Sequence, residues 1–178
     1  MTAIVSQTLS ILTLLSQLFL LWIVVYHVIS FENARKLSKK ILTSKNALLA
    51  VFTISFFASS GSLFYSEIAG FVPCELCWFQ RIFMYPQVIL YGIAMYKKKT
   101  DIFEYSFWLV ALGIIISAYQ NYLIYAAAKS TSCGISGASC ATKFVIGLGY
   151  VTIPMMALTA FVLIGTIILL YKFTPKEK

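Results

Sequence analysis

The chain has 178 residues, of which 60% are hydrophobic and only 11% charged, with a net charge of +8. A soluble globular domain carries about 25% charged residues, so this composition excludes an ordinary water-soluble fold. The positive charge sits in a few short stretches between apolar runs, which argues for a membrane-embedded chain and against nucleic-acid binding.

Five apolar runs follow one another: residues 8–29, 46–66, 78–96, 105–128 and 144–171. Each is long enough to cross a hydrocarbon core of about 30 Å at 1.5 Å per helical residue. The first has no basic residue before it, exceeds the usual signal-peptide core and is followed by no small-residue cleavage motif. It reads as a retained helix. The last is longer than a crossing needs, so it tilts or begins in the interface. The predicted fold class is therefore an all-α membrane protein. Residues 1–45 form an extra N-terminal transmembrane helix and basic loop, residues 46–172 a four-helix transmembrane bundle, and residues 173–178 a polar tail.

Eleven of the fourteen basic residues fall in three clusters: Arg35, Lys36, Lys39, Lys40 and Lys45; Lys97, Lys98 and Lys99; Lys172, Lys176 and Lys178. These are alternate connections, so all three share one side, and the positive-inside rule makes that side cytoplasmic. The predicted protein is a multi-pass protein of the cytoplasmic membrane. Its N-terminus and loops 67–77 and 129–143 face outward, and its C-terminus faces the cytoplasm.

All four cysteines lie in those two outward loops, where thiols can be oxidised and stay so. Cys74 and Cys77 form a C-x-x-C at the start of the third run. There, unpaired N–H groups and the helix dipole favour a thiolate. Arg81 follows Cys77 by four residues, one turn along the same face. An arginine at the edge of the bilayer is expected to have an anionic or polar partner, such as a thiolate or a carbonyl oxygen, or to snorkel to headgroup phosphate. Cys133 and Cys140 lie in a small polar segment with two glycines between them, suited to mobility and access. A structural staple is the bland alternative for this pair, and a four-thiolate zinc site is the alternative for all four cysteines.

Gln120 and Asn121 interrupt the fourth run about two turns below its outer end. They are placed at the depth of Arg81, either lining one pocket with it or simply bonding between helices. Ser59, Ser60, Gly61 and Ser62 permit close helix approach. His27, the sole histidine, lies at the far end of the first run and is given no catalytic role. Trp78, Phe79 and Tyr85 suit an aromatic belt, and Pro154 kinks or begins a helix.

The segment Pro73-Cys-Glu-Leu-Cys-Trp-Phe-Gln-Arg-Ile82 resembles the signature of the DsbB/BdbC family of membrane thiol–quinone oxidoreductases. The resemblance extends over about residues 46–171 through the order of spans and cysteine loops. It implies a quinone cofactor, ubiquinone or menaquinone, with Arg81, Trp78, Gln120 and Asn121 as candidate contacts and no metal. It also implies a thioredoxin-like disulfide donor of the DsbA/BdbD kind as partner, alongside membrane lipid. By the same resemblance, Cys133 takes the mixed disulfide with the partner. Cys140 then attacks the Cys74–Cys77 disulfide, and Cys77 leaves as the thiolate that faces the quinone. The short second cysteine loop and the additional first helix depart from the better-known pattern. Two rival readings are an enzyme resembling vitamin K epoxide reductase and a non-enzymatic scaffold with structural disulfides or zinc. In the first of these families the loop cysteines precede the C-x-x-C.

Overall fold

In a computed structural model, residues 2–125 and 149–173 are described; Cys133 and Cys140 lie outside them. The described residues form α1 (Thr2–Ile29), α2 (Phe31–Ile41), α3 (Ser44–Leu63), a π-helical turn (Phe64–Ile68), α4 (Glu75–Lys97), α5 (Ile102–Tyr125) and α6 (Ile153–Phe173). In a hydrocarbon layer each backbone N–H and C=O must find its partner within the segment, which leaves helix as the outcome for runs this apolar. α1, α3 with its π extension, α5 and α6 are each long and apolar enough to cross a membrane. α4 has the length, at 23 residues, but carries Gln80, Arg81 and Gln87. The fold is the expected one: α3 to α6 pack as a four-helix bundle, and α1 is added against α6.

Beyond shifts at several helix ends, two segments differ from the sequence reading. The basic segment between the first two spans is not plain loop, because residues 31–41 fold as helix α2. For the last span, expected over 144–171, residues 144–148 lie outside the described ones and residues 149–152 are not helical. Its helix starts at Ile153, where the Thr152 hydroxyl accepts the Met155 N–H at 3.4 Å and Pro154 occupies the second helical position. Proline is tolerated there because the first-turn N–H groups have no intrahelical partner.

The α3–α4 connection brings the cysteine motif back over the bundle. Past Leu63 the hydrogen bonds lengthen to i→i−5, as in Ala69 N–H to Phe64 O at 3.0 Å, and Gly70 at φ +69 ends the helix. A π turn of this kind re-aims the chain within one residue's insertion. At the opposite end of the bundle the Ser44 and Tyr171 hydroxyls meet at 2.7 Å, tying the start of α3 to the end of α6.

Between these ends the core is apolar and close-packed, with Val51, Tyr91, Val110, Phe161 and Ile164 buried. Gly113 lets α5 approach α6, since a Cβ there would overlap the Phe161 ring, itself fully buried. Gly113→Ala is therefore expected to destabilise the protein by about 1–3 kcal/mol through overpacking, lowering the detergent Tm by at least about 2 °C. Gly92→Ala is the control. Its Cβ would meet Phe52 at 3.5 Å, an ordinary contact, and its Tm should stay within error of the parent.

Candidate active site

The site is built on the first turn of α4. Cys74 is the residue that caps it, with extended backbone at φ −75 and ψ 171, and its carbonyl accepts the Trp78 N–H at 3.1 Å. Cys77 is thus the third helical residue, and the helix begins slightly earlier than the sequence reading placed it. This spacing points both side chains the same way, and the two sulfurs stand 2.8 Å apart. Cys74 is buried, at 1% exposed; Cys77 is half-buried and fronts a cavity.

α5 supplies the principal neighbour. The Gln120 amide nitrogen donates to Cys74 Sγ at 3.2 Å and to Cys77 Sγ at 3.4 Å. Its amide oxygen accepts from Gln80 Nε2 at 2.6 Å. Both glutamines are buried, so each amide in this relay is held by the other. Gln120 therefore meets the thiols themselves, a closer relation than the shared depth expected of it.

Arg81 finds its partner on α3. Its Nε donates to Ser62 Oγ at 3.0 Å and its Nη2 to the Ser62 carbonyl at 3.1 Å. The Tyr85 hydroxyl joins the same Oγ at 3.3 Å. The guanidinium also lies 5.2 Å from the centre of the Trp78 ring, a cation–π distance. Arg81 thus hydrogen-bonds to a serine rather than to a thiolate, and acts on the cysteines through its field.

These groups set the chemistry of Cys77, which precedes the membrane-crossing stretch of α4. The thiol is lowered to about 6. Hydrogen bonding from Cys74 does most of this, and burial opposes it. Gln120, the Cys74 backbone and the charge of Arg81 add to the lowering. Donors aimed at a thiolate outweigh its desolvation here because the site supplies several of them at once.

A cavity of about 130 Å³ adjoins the sulfurs. Its polar lining includes Cys74, Cys77, Gln80, Arg81, Tyr85 and Gln120; the rest is mainly apolar, with Phe57, Met84, Pro154 and Phe161 among the side chains. Arg81 and Gln120 from the sequence reading therefore meet at one place. Trp78 and Asn121 are not among the lining residues. Trp78 is 54% exposed and flanks Arg81 from outside. Asn121 turns back along α5, donating to the Ser117 carbonyl at 2.7 Å. The loop pair Cys133 and Cys140 lies outside the described residues.

Sequence reasoning gave no site role to Gln80, to Ser62 or to Tyr85, which it placed in an aromatic belt. Gln80 sits in the quoted motif next to Arg81, and Tyr85 is one turn beyond Arg81 on the same face, so a search for polar residues at helical spacing points to both. Ser62 was read only as a small packing residue; nothing in its own surroundings marks it as the anchor of a residue 19 positions away.

Residues 44–171 match the family described as disulfide bond formation protein DsbB. The SPbeta prophage-derived disulfide bond formation protein B of Bacillus subtilis is 42% identical over 120 residues, 67% of this chain and 81% of that protein. A probable disulfide formation protein of Oceanobacillus iheyensis is 40% identical over 138 residues, 76% of this chain and 93% of that one. Disulfide bond formation protein C of Bacillus subtilis is 38% identical over 132 residues, 73% and 95% of the two chains. No solved structure matches.

Proposed function

The chain belongs to the DsbB family of disulfide bond formation proteins, and on that premise we propose that it re-oxidises a thioredoxin-like dithiol protein and passes the two electrons to a membrane quinone. The observation that carries this reading is the pair of apposed thiols, bridged by Gln120, on the wall of a largely apolar cavity that also holds Arg81. In this reading the protein lies in the cytoplasmic membrane, with both cysteine loops and the N-terminus outside and the C-terminus in the cytoplasm. The three lysine- and arginine-rich segments on alternate connections support that orientation.

The cavity suits a quinone headgroup. Its walls are mainly apolar, and Arg81 has five N–H donors, of which two are used on Ser62. Arg81 would hold a carbonyl oxygen, with Tyr85 beside it and Cys77 facing the ring. A quinone bound there supplies a two-electron, two-proton acceptor. The protein's own steps are thiol–disulfide exchanges. The partner's thiolate attacks Cys133 of the loop disulfide and releases Cys140. Cys140 attacks Cys74, and Cys77 leaves as thiolate. The partner's second thiol then displaces Cys133, so that the partner departs as a disulfide. Cys133 displaces Cys74 from Cys140, which restores the loop disulfide and leaves Cys74 and Cys77 reduced. A low-pKa thiol is the better leaving group in such exchange, and the donors around Cys77 give it that character. The Gln80–Gln120 relay holds both sulfurs in place while the charge on them changes.

The vitamin-K-type alternative is disfavoured by cysteine order, since the C-x-x-C comes first here. The test is to purify the chain in detergent, add a reduced thioredoxin-like donor and a soluble quinone, and follow quinone absorbance. Donor-dependent reduction is the expected result; none with any donor or quinone would overturn the reading. Arg81→Ala should raise KM for the quinone by at least about tenfold, the weight of one charge-assisted hydrogen bond. An unchanged KM would remove Arg81 from the site.

A further inference from the structure

α1 is the part of the chain that the disulfide-formation reading does not use, and it lies before the residues that match the family. It is nevertheless not remote from the cavity. Leu9 is one of the lining residues, together with Ala58, Gly61 and Ser62 of α3. Leu9 reaches to 3.6 Å from where a Cβ on Gly61 would stand, so the two helices touch where glycine leaves room. Ser6, one turn earlier, lies beside the buried Tyr65 hydroxyl, another group of the cavity wall.

The attachment of α1 is uneven. Its main packing partner is α6. Gln17 pins it there, donating to the Thr159 hydroxyl at 3.1 Å and accepting from the Tyr150 hydroxyl at 2.6 Å. Hydrogen bonds between helices in an apolar medium fix their mutual position. Against α3 the approach is sparse, and Leu9 on Gly61 is its main feature at the cavity. From Ile11 onward the exposed residues of α1 are apolar, Leu12, Leu15 and Phe19 among them, which is the surface a lipid-facing helix presents.

We propose that α1 is a side wall of the cavity between α3 and α6, and that Leu9 sets how readily a quinone with a long isoprenoid tail passes from the bilayer to Cys77. This rests on the quinone reading above. The physical argument is steric. The headgroup must reach Cys77 while the tail stays in lipid, so the tail has to cross a seam between helices. The α1–α3 seam is the weakly held one, and Leu9 is the side chain that fills it at the depth of the cavity. Leu9 touches no reacting atom and acts only on access.

The experiment compares KM for a long-tailed quinone with KM for its tail-less form, in the parent, Leu9→Ala and Leu9→Trp. Leu9→Trp should raise the ratio of the two KM values by about tenfold, the discrimination that one well-placed apolar group gives. Leu9→Ala should lower the ratio, the KM for the long-tailed quinone moving more than that for the tail-less form. Ratios within about twofold of the parent in both variants, with quinone reduction intact, would overturn the inference and leave the function standing. If no protein reduces any quinone, the reading of function fails instead. The wall is then decided by labelling Cys77 in vesicles, in a Cys133→Ser, Cys140→Ser background, with an N-alkyl maleimide that partitions into lipid and with a charged one. Slower labelling by the lipid-soluble reagent alone in Leu9→Trp would support the wall; equal labelling would overturn it.

Discussion

Cys77→Ser is expected to abolish donor-dependent quinone reduction, by at least about a thousandfold, because a serine hydroxyl neither forms the disulfide nor ionises near neutral pH. In the proposed relay the electrons arrive at Cys74 and can leave only if Cys77 departs as thiolate. The variant should therefore oxidise the donor once, at the loop pair, and then stop. Thiol counting after a single mixing checks the first statement, and quinone absorbance checks the second. The substitution is small, a serine hydroxyl can still accept from Gln120, and the Gln80–Gln120 bond itself is untouched, so the Tm should change little. Quinone reduction remaining above about a tenth of the parent rate would mean that electrons bypass Cys77 and that the relay is wrong.

In the reduced protein, with Cys133 and Cys140 replaced by serine, alkylation of Cys77 should rise to half its plateau near pH 6, because its thiol is lowered to about 6. An ordinary thiol reaches that point near pH 8.5. The sign follows from the thiolate being the nucleophile: rate grows with pH up to the titration point and is flat above it. Gln120→Leu removes a donor to the thiolate and strands the Gln80 amide, so the profile should move to higher pH. The rate at pH 6 should fall by about threefold or more. The same linkage acts on stability. A thiol depressed in the folded state stabilises the reduced protein fully above the ordinary thiol range, and that contribution is lost as pH falls through about 6. If Gln120→Leu leaves the alkylation profile in place, the contact from α5 does not tune Cys77.

What the sequence by itself determined is everything carried by local length and spacing. Apolar runs near 20 residues give spans, because the hydrocarbon layer has a set thickness and demands internal backbone bonding. A C-x-x-C at the head of such a run puts two thiols on one helical turn, as Cys74 and Cys77 show. The same motif carried the family. What only the tertiary structure decided is which residues from other helices reach those thiols. Gln120 meets Cys74 across 46 residues, Arg81 meets Ser62 across 19, and Leu9 of α1 closes on Gly61. A soluble helix announces its inner face by alternating apolar and polar residues. In α5 the buried face carries Ser106, Ser117, Gln120 and Asn121 at helical spacing and so marks itself, whereas in α6 the faces toward lipid and toward the core are both largely apolar. The rotation of α6 is therefore not written in its own pattern. It is set by where neighbours pack, here by Gly113 against Phe161 and by the polar side chains that must find one another inside the bundle.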